Sequence, residues 1–354
     1  MTDELDVEVV DSVHEVNENQ WNNLVEQADL GSVFHRHGWL ALVEEYIPEC
    51  RPLHLVVTKK GNPVGLLPNF AGPIYLPTAT RLGNRLPLRE VVSVDPGFGG
   101  PVVSTDERDC LELLFDALDE ETGVGTLYHA IRTNDLGYVR YGKWLAKRGY
   151  EPTLVNCRFR IALDEDWSSI RSEMQSGRRR ALRQADEDGV EVVERTPDKA
   201  TARALYDDYA ANVDRVGGVP YERPFFEAML TEFSDRVRVF SAFHDGELVG
   251  SYVNVLDDEQ ETVHFYFSAI PDEDCFSHHP SEVLHRQGIR WALDNGYRYY
   301  DFGATGAHFD ETVFRYKSRY GGEAVPTLQW RKGHSRVGWP AFKLGRNVYQ
   351  KATY

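Results

Sequence analysis

The chain has 354 residues, of which 42% are hydrophobic and 27% charged. At roughly 100–200 residues per domain this length favours two domains, and the composition is that of a folded chain. The 39 Lys and Arg against 56 Asp and Glu give a net charge of −17. So acidic a surface excludes a protein whose main task is to bind DNA without sequence preference.

Only nine of the 39 cations are lysine. An acidic surface poor in lysine suits a cytoplasm rich in salt, where repulsion between carboxylates is screened, so we expect a halophilic source. The chain starts without a basic segment followed by an apolar run, and no apolar run approaches the length of a membrane span. We therefore expect a cytoplasmic protein.

The cysteines and histidines form no metal or disulfide pattern. The cysteines stand far apart without a C-x-x-C pair, and the three histidines between residues 278 and 285 match no zinc spacing. We expect free thiols and no metal. These residues are Cys50, Cys110, Cys157, Cys275, His278, His279 and His285.

The first half of the chain alternates strands and helices. Residues 53–70 read as two apolar strands around a turn, and a stretch rich in Gly and Pro covers residues 72–101. The other predicted elements are strand 5–10, helices 19–28 and 35–46, helix 107–121, strand 126–131, helix 137–148 and strand 153–163.

The second half opens on the acidic run 164–166, a predicted N-terminal cap for a helical apolar stripe from Trp167 to Ala185. The remaining predicted elements are helices 198–213, 223–233 and 281–295, and strands 237–243, 248–256, 261–269, 297–302 and 325–331. This alternation predicts an α/β protein with a mixed sheet.

A faint internal repeat relates the two halves. The turn glycine and Val-Gly pair at 61 and 64–65 recur at 246 and 249–250, each inside a predicted hairpin. Each half also has a helix that stops at Gly-Tyr, at 149–150 and 296–297, before a strand. We therefore predict two α/β units of similar build, joined near residue 165.

Four arginines lie within residues 178–183, and such dense clusters of cations are rare elsewhere in this chain. Guanidinium groups this close repel one another unless an anion or carboxylates gather there, and their forked donors suit phosphate. The alternative is a solvated helix face paired with the acidic run 186–188. The residue pattern leaves both readings open.

Residues 261–269 alternate between polar and apolar side chains. The alternation predicts a strand with His264, Tyr266 and Ser268 on one face, and with Phe265 and Phe267 on the other. The polar face could relay protons, or could simply be the wetter side of a strand.

The segment 297–321 is the densest in polar and aromatic groups. Asp301 ends a predicted strand, two glycines follow, and then come Arg315, Lys317 and Tyr320. Both signs of charge beside a flexible bend predict a catalytic rim.

The last 24 residues, 331–354, carry six cations and no carboxylate. An apolar stripe from Trp339 to Tyr349 would let this basic tail lie on an anionic membrane. We favour the alternative, in which the tail docks on the protein's own acidic body.

In their order and spacing, these motifs resemble the FemAB-like branch of the GNAT acyltransferase superfamily, over residues 30–330. The motifs are Phe34-His35, Trp39-Leu40, Val64 to Pro68, Gly99 to Val102, Trp167 with the arginines and Gly189-Val190, Val249-Gly250, Ser281 with Trp291-Ala292, Gly296-Tyr297, Asp301 to Thr305, and Phe314 to Gly321.

The resemblance implies an α/β (α+β) fold of two tandem GNAT-like domains, each a mixed, mostly antiparallel sheet flanked by helices. With it we divide the chain into an N-terminal domain (1–163), a catalytic domain (164–330) and the basic tail (331–354).

The resemblance also implies transfer of an acyl or aminoacyl group to an amine. It assigns Lys317 to the catalytic channel, where a cation stabilises the oxyanion, and Tyr266 to positioning or proton relay. We add Asp301 as a base acting through water. Expected substrate contacts are Arg179, Arg180, Arg183, His264, Arg315 and Tyr320.

The donor implied is acyl-CoA or an aminoacyl-tRNA, and no DNA partner is expected. Residues 270–280 lack the glycines of a standard CoA loop and contain three acids. Two alternatives stay open: a tRNA-dependent aminoacyltransferase acting on a cell-envelope precursor, or a non-catalytic module that binds an anionic lipid or nucleotide-sugar, with the tail touching the membrane.

Overall fold

The computed structural model describes residues 5–74, 88–123, 125–133 and 136–353, with side chains up to residue 346. The chain folds into two compact units, residues 1–154 with 327–354 and residues 155–326. The segment predicted as a separate basic tail thus belongs to the first unit. Part of the predicted Gly- and Pro-rich stretch, 75–87, lies outside the described residues.

The first unit contains two sheets and five helices among its described residues. One sheet has the order β1-β3-β4-β7, and the other runs β15-β8-β6-β5-β2. The strands are β1 (Leu5–Val10), β2 (Arg51–Pro52), β3 (His54–Lys59), β4 (Asn62–Leu67), β5 (Phe70–Pro73), β6 (Arg89–Ser93), β7 (Val102–Val103), β8 (Thr126–Thr133) and β15 (Glu323–Gly333), of which residues 327–333 belong here. The helices are α1 (Glu18–Gln27), α2 (His37–Tyr46), α3 (Glu107–Glu121), α4 (Gly142–Lys147) and α11 (Gly338–Thr353).

The second unit has one sheet of order β10-β11-β12-β13-β14-β9, antiparallel except for the β13–β14 pair. Its strands are β9 (Glu151–Ala162), of which residues 155–162 belong here, β10 (Glu191–Arg195), β11 (Val237–His244), β12 (Glu247–Asp257), β13 (Thr262–Ala269) and β14 (Tyr299–Thr305). Its helices are α5 (Trp167–Glu173), α6 (Ser176–Glu187), α7 (Lys199–Arg215), α8 (Arg223–Thr231), α9 (Pro280–Asp294) and α10 (Thr312–Lys317).

The predicted repeat has a structural counterpart in the hairpins β3–β4 and β11–β12. Both turns place two residues at positive φ, Lys60-Gly61 and Asp245-Gly246. In both, the register shifts by one residue beside the second glycine, so that Gly65 lies opposite Val57 and Gly250 opposite Ala242.

Both second glycines also sit against a helix. A Cβ on Gly65 would lie 3.3 Å from Cβ of Cys110 on α3, and one on Gly250 would lie 3.1 Å from Cβ of Pro280 on α9. The absence of a side chain therefore lets a helix approach the hairpin in each unit.

The two predicted helix stops are confirmed and share one hydrogen-bond pattern. Gly149 and Gly296 have φ of +89° and +78°. The next residues, Tyr150 and Tyr297, each donate their backbone N–H to the carbonyl five residues back, at 3.0 Å. This is a Schellman motif, which satisfies the last carbonyls of α4 and α9.

The start of the second unit follows local capping chemistry. Asp166 accepts the backbone N–H of Ser169 at 2.9 Å and begins α5, as the acidic run predicts. The apolar stripe predicted from Trp167 to Ala185 is divided between α5 and α6, with the break at Met174 and Gln175. The arginine cluster therefore lies in the first two turns of α6.

The basic tail docks on the first unit through both charge and aromatic contacts. Lys332 pairs with Asp119 at 2.6 Å and Lys343 pairs with Glu151 at 2.7 Å. On α11, the Trp339 ring centroid lies 5.6 Å from that of Tyr128. Side chains of the predicted stripe beyond Arg346 lie outside the described residues. Among the described helices, none has both the length and the apolar content to cross a bilayer.

Candidate active site

Lys317 is buried at the end of α10, with 7% of its surface exposed. Its Nζ donates to the carbonyl oxygens of Gly303 at 3.1 Å and Ala304 at 2.8 Å. Burial lowers the pKa of this ammonium to about 8, against the opposing attraction of Asp301. An ammonium has three N–H donors, and the described residues accept two of them, so one remains available to a ligand.

The carbonyls that hold Lys317 are presented where β14 leaves β13. The parallel pairing of these strands covers only three residue pairs and ends at His264 and Asp301. Gly303 then adopts φ +73°, and a Cβ there would lie 3.0 Å from the Phe265 oxygen. The Asp-Phe-Gly sequence thus bends the strand and turns two carbonyls toward the lysine.

The surroundings of the ammonium are mostly apolar and neutral. Nζ lies 5.8 Å from the centroid of the Phe265 ring. Burial raises the pKa of the Cys157 thiol, which donates to the Gly306 oxygen at 3.7 Å. Burial, and then the charge of Lys317, holds the pKa of His285 well below its usual range. These neighbours of Lys317 carry no positive charge that would compete with its ammonium for an anion.

Asp301 is fully buried and engaged in a charged cluster. Its carboxylate bonds to the guanidinium of Arg158, accepts the Gly303 N–H at 2.8 Å, and lies 3.5 Å from Nδ1 of His264. Burial alone would raise its pKa, but Arg158 and His264 outweigh burial and hold the pKa below its ordinary value. Such a carboxylate is poorly suited to the role of base predicted from the sequence.

His264 belongs to the same cluster. Its Nε2 lies 3.4 Å from Asp257, which is also fully buried. Burial would lower the pKa of the imidazole, but the two carboxylates together raise it. The structure therefore places His264 between two acids within the sheet.

The predicted alternation of β13 is wrong beyond residue 264. Opposite β12, Val253 faces Phe267 and Asn254 faces Phe265, so Tyr266 is the extra residue of a β-bulge. Consequently the Phe265 ring packs toward α9, 5.1 Å from His285, whereas the Phe267 ring packs 4.6 Å from Tyr209 on α7. Tyr266 is half-buried, with its ring against Phe267.

The arginine cluster divides between interior and surface. Arg178, the first arginine of the cluster, turns inward to bond the buried carboxylate of Glu282. Arg179 donates to the carbonyls of Ser172 and Met174 at 2.6 and 2.7 Å, which caps α5. Arg180 and Arg183 are exposed to solvent, where an anion can reach their guanidinium groups.

The other two predicted substrate contacts, Tyr320 and Arg315, differ in burial. Tyr320 is 1% exposed, and its hydroxyl lies 2.6 Å from that of Tyr316. Tyr320 also lines a cavity of about 290 Å³, together with Arg160 and Glu173. Arg315 is exposed on α10. The described residues contain no group of His, Cys, Asp or Glu arranged to hold a metal ion.

Comparison with known proteins identifies the region that carries Lys317 and Asp301. Residues 172–318 match the family model of an acetyltransferase (GNAT) domain. This part of the chain is therefore similar to a GNAT domain. It contains Asp301, Lys317 and the helix that bears Glu282. The match supports acyltransferase activity in general terms.

Solved structures show that the GNAT fold extends over nearly the whole chain. FemX superposes with a TM-score of 0.71 at 11% identity, covering 93% of this chain and 98% of that one. A tandem GNAT protein from the clavulanic acid biosynthesis pathway gives 0.54 at 14% identity, with 93% and 98% covered. L-PGS from Bacillus licheniformis gives 0.56 at 10% identity, with 94% and 97% covered.

At these identities the likeness shows the fold. The predicted tandem GNAT architecture is confirmed, and so is the resemblance to the FemAB-like branch at the level of fold. No curated protein matches the sequence.

Proposed function

We propose that the protein is an N-acyltransferase in which Lys317 stabilises the oxyanion of the tetrahedral intermediate. The amine of the acceptor attacks the carbonyl carbon of the donor, and the carbonyl oxygen takes up negative charge. The intermediate then collapses to an amide and expels the donor's oxygen or sulfur, which takes up the proton lost by the acceptor nitrogen and leaves as an alcohol or thiol. The observation that carries this proposal is a buried ammonium with one N–H left over.

The base is not assigned to Asp301, because its carboxylate is committed to Arg158 and His264. We propose a positioning role instead. Asp301 holds the Gly303 amide at 2.8 Å, and the Gly303 carbonyl holds Lys317. Tyr266, half-buried beside the end of the β13–β14 pairing, remains our candidate for positioning the substrate or relaying a proton.

We propose an aminoacyl ester, such as aminoacyl-tRNA, as the donor in preference to acyl-CoA. The amino end of a helix attracts a diphosphate, but the first turn of α9 already holds the buried Glu282 carboxylate with Arg178. The three acids of residues 270–280 add like charge beside it. The exposed Arg180 and Arg183 are then available for phosphates of the tRNA or of an envelope precursor.

The test measures amide formation by mass spectrometry with aminoacyl-tRNAs and acyl-CoAs as donors and a panel of amines that includes amino-sugar and peptide precursors. Lys317→Met, which keeps the volume of the side chain, should lower turnover by about 10²–10³-fold. Arg290→Met, on the exposed side of α9, is the matched control and should retain turnover.

Three results would count against the proposal. Comparable kcat/KM with acyl-CoA would overturn the choice of donor. Full turnover by Lys317→Met would overturn the oxyanion role. If no donor reacts while ligands still shift the melting temperature, the chain is a binding module.

A further inference from the structure

A second cluster of arginines lies in the first unit, on one face of its β15–β8 pair. Arg331 lies opposite Ala130, and Gln329 opposite Arg132. Since side chains alternate along a strand, Thr327, Gln329 and Arg331 share a face with Arg132. None of these residues belongs to the GNAT domain at 172–318.

Helix α11 covers this face and brings a third arginine to it. The rings of Trp339 and Phe342 lie 5.6 and 5.3 Å from that of Tyr128 on β8. Arg346 follows Phe342 by four residues and so lies on the same side of the helix. The Arg331 guanidinium stacks over Tyr128, with 5.6 Å between Cζ and the ring centroid.

Arg331 and Arg346 differ from two lysines of the tail in having no carboxylate partner among the described residues. Lys332 and Lys343 are paired with Asp119 and Glu151. Arg331 and Arg346 make no ion pair with any residue that the structure describes. Their Nε atoms, and Nη1 of Arg346, are buried without a hydrogen-bond acceptor.

Two carboxylates lie near the cluster, and one of them pairs with Arg132. Glu90 accepts the Tyr128 hydroxyl, and Asp95 lies 3.6 Å from Nη1 of Arg132. Burial, and then the charges of Arg346 and Arg132, lower the pKa of Arg331, although Tyr128 and Glu90 oppose this. Like charges held together with open donors disfavour the fold unless an anion joins them.

Two polar side chains continue the same strand face. Thr327 is 0% exposed and Gln329 is 4% exposed. The Thr327 hydroxyl and the Gln329 side-chain oxygen have no hydrogen-bond partner within the described part of the chain. A buried polar atom without a partner is costly, so these groups also indicate a missing ligand.

We propose that this face of the first unit binds a phosphate group between Arg331 and Arg346, with Arg132 at its edge. Guanidinium forks present paired N–H donors that match phosphate oxygens. Gln329 and Thr327 would bind the polar body of a phosphorylated ligand. The site is independent of Lys317 and would bind whether or not acyl transfer occurs.

The test follows the melting temperature of the full chain at fixed ionic strength, with inorganic phosphate, inorganic pyrophosphate or uridine diphosphate replacing potassium chloride. We expect each phosphate compound to raise it by several degrees. A larger shift with the nucleotide indicates that Gln329 and Thr327 bind the organic part. An equal shift indicates a site for free phosphate, and both results support the proposal.

Arg346→Gln should abolish the phosphate shift, and in chloride it should melt no lower than the wild type because the repulsion is relieved. Arg336→Gln removes the same charge from an exposed position nearby and should keep the shift. Arg331→Gln provides a second variant. A shift that chloride reproduces, or that survives in both Arg331→Gln and Arg346→Gln, would overturn the proposal.

Discussion

The ammonium of Lys317 illustrates how a site residue can act against the stability of its own fold. Its Nζ has two carbonyl partners but no carboxylate within ion-pair distance among the described residues. Burial therefore lowers its pKa to about 8. A buried cation without a carboxylate partner is well placed to stabilise an oxyanion, because the oxyanion provides the opposite charge that the protein does not.

The lowered pKa of Lys317 in the folded protein predicts a pH dependence of stability. In the unfolded chain Lys317 has a pKa of 10.5, against about 8 in the folded state. Between these values the unfolded state holds a proton that the folded state has released. The free energy of unfolding of the wild type should therefore rise with pH relative to Lys317→Met, by up to about 1 kcal/mol per pH unit.

Below pH 8 the difference between the two proteins should be constant, because both states of the wild type are then charged. Denaturant unfolding at several pH values measures the difference. A difference that stays flat from pH 8 to 10 would show that Lys317 is not buried in the folded protein.

Asp301 should contribute mainly to the stability of the folded protein. Asp301→Asn removes the partner of a buried guanidinium and should cost about 3–5 kcal/mol of unfolding free energy, since Arg158 is 3% exposed. Asp164→Asn, at an exposed site, is the control and should change little. If Asp301→Asn unfolds like the wild type but loses turnover, then Asp301 acts in the chemistry, as the sequence predicts.

The sequence could indicate Lys317 but not what surrounds it. Lys317 lies in a recognisable motif, whereas Arg158 and Asp301 are separated by 143 residues. Arg178 and Glu282 are likewise separated by 104 residues. No local pattern connects such partners, because the pairing of the strands and helices that carry them decides the contact.

At the scale of elements, Gly303 and Gly296 form a matched pair for a test of the bend in β14. Both have positive φ, +73° and +78°, so alanine should cost each a similar backbone strain of about 1–2 kcal/mol. Only Gly303 has a neighbour, the Phe265 oxygen at 3.0 Å from a built Cβ, while Gly296 has nothing within 4 Å.

Gly303→Ala should therefore destabilise the protein more than Gly296→Ala, and it alone should lower turnover, because it displaces a carbonyl that holds Lys317. Denaturant midpoints and initial rates for the two variants check this. Equal losses in both variants would mean that the bend serves only the fold.

Turn and cap chemistry explains why the hairpins and helix stops were predictable, since Asp245-Gly246 and Gly296-Tyr297 specify their conformations locally. The bulge at Tyr266 was not predictable, because polar and apolar residues alternate along β13 and no glycine or proline marks the extra residue. Its position follows from the register with β12, which is a non-local property.

At the scale of the whole molecule, the charge distribution is the feature that sequence and structure share most directly. The tail, residues 331–354, carries six cations and no carboxylate, and two of its lysines dock on acids of the first unit. The sequence therefore indicated the docking. It could not show that Arg331 and Arg346 have no ion-pair partner within the described part of the chain, because that depends on where α11 lies on the sheet.

The net charge of −17 predicts a salt dependence of stability. Repulsion among surface carboxylates disfavours the compact state at low ionic strength, and salt screens it. The melting temperature should rise steeply as potassium chloride is added and then level off near 1 M, where the Debye length is about 3 Å. Sucrose is the control: it stabilises by exclusion from the surface, so its effect should continue to grow with concentration. A melting temperature that does not change at low salt would contradict charge repulsion as the cause, and with it the expectation of a salt-adapted protein.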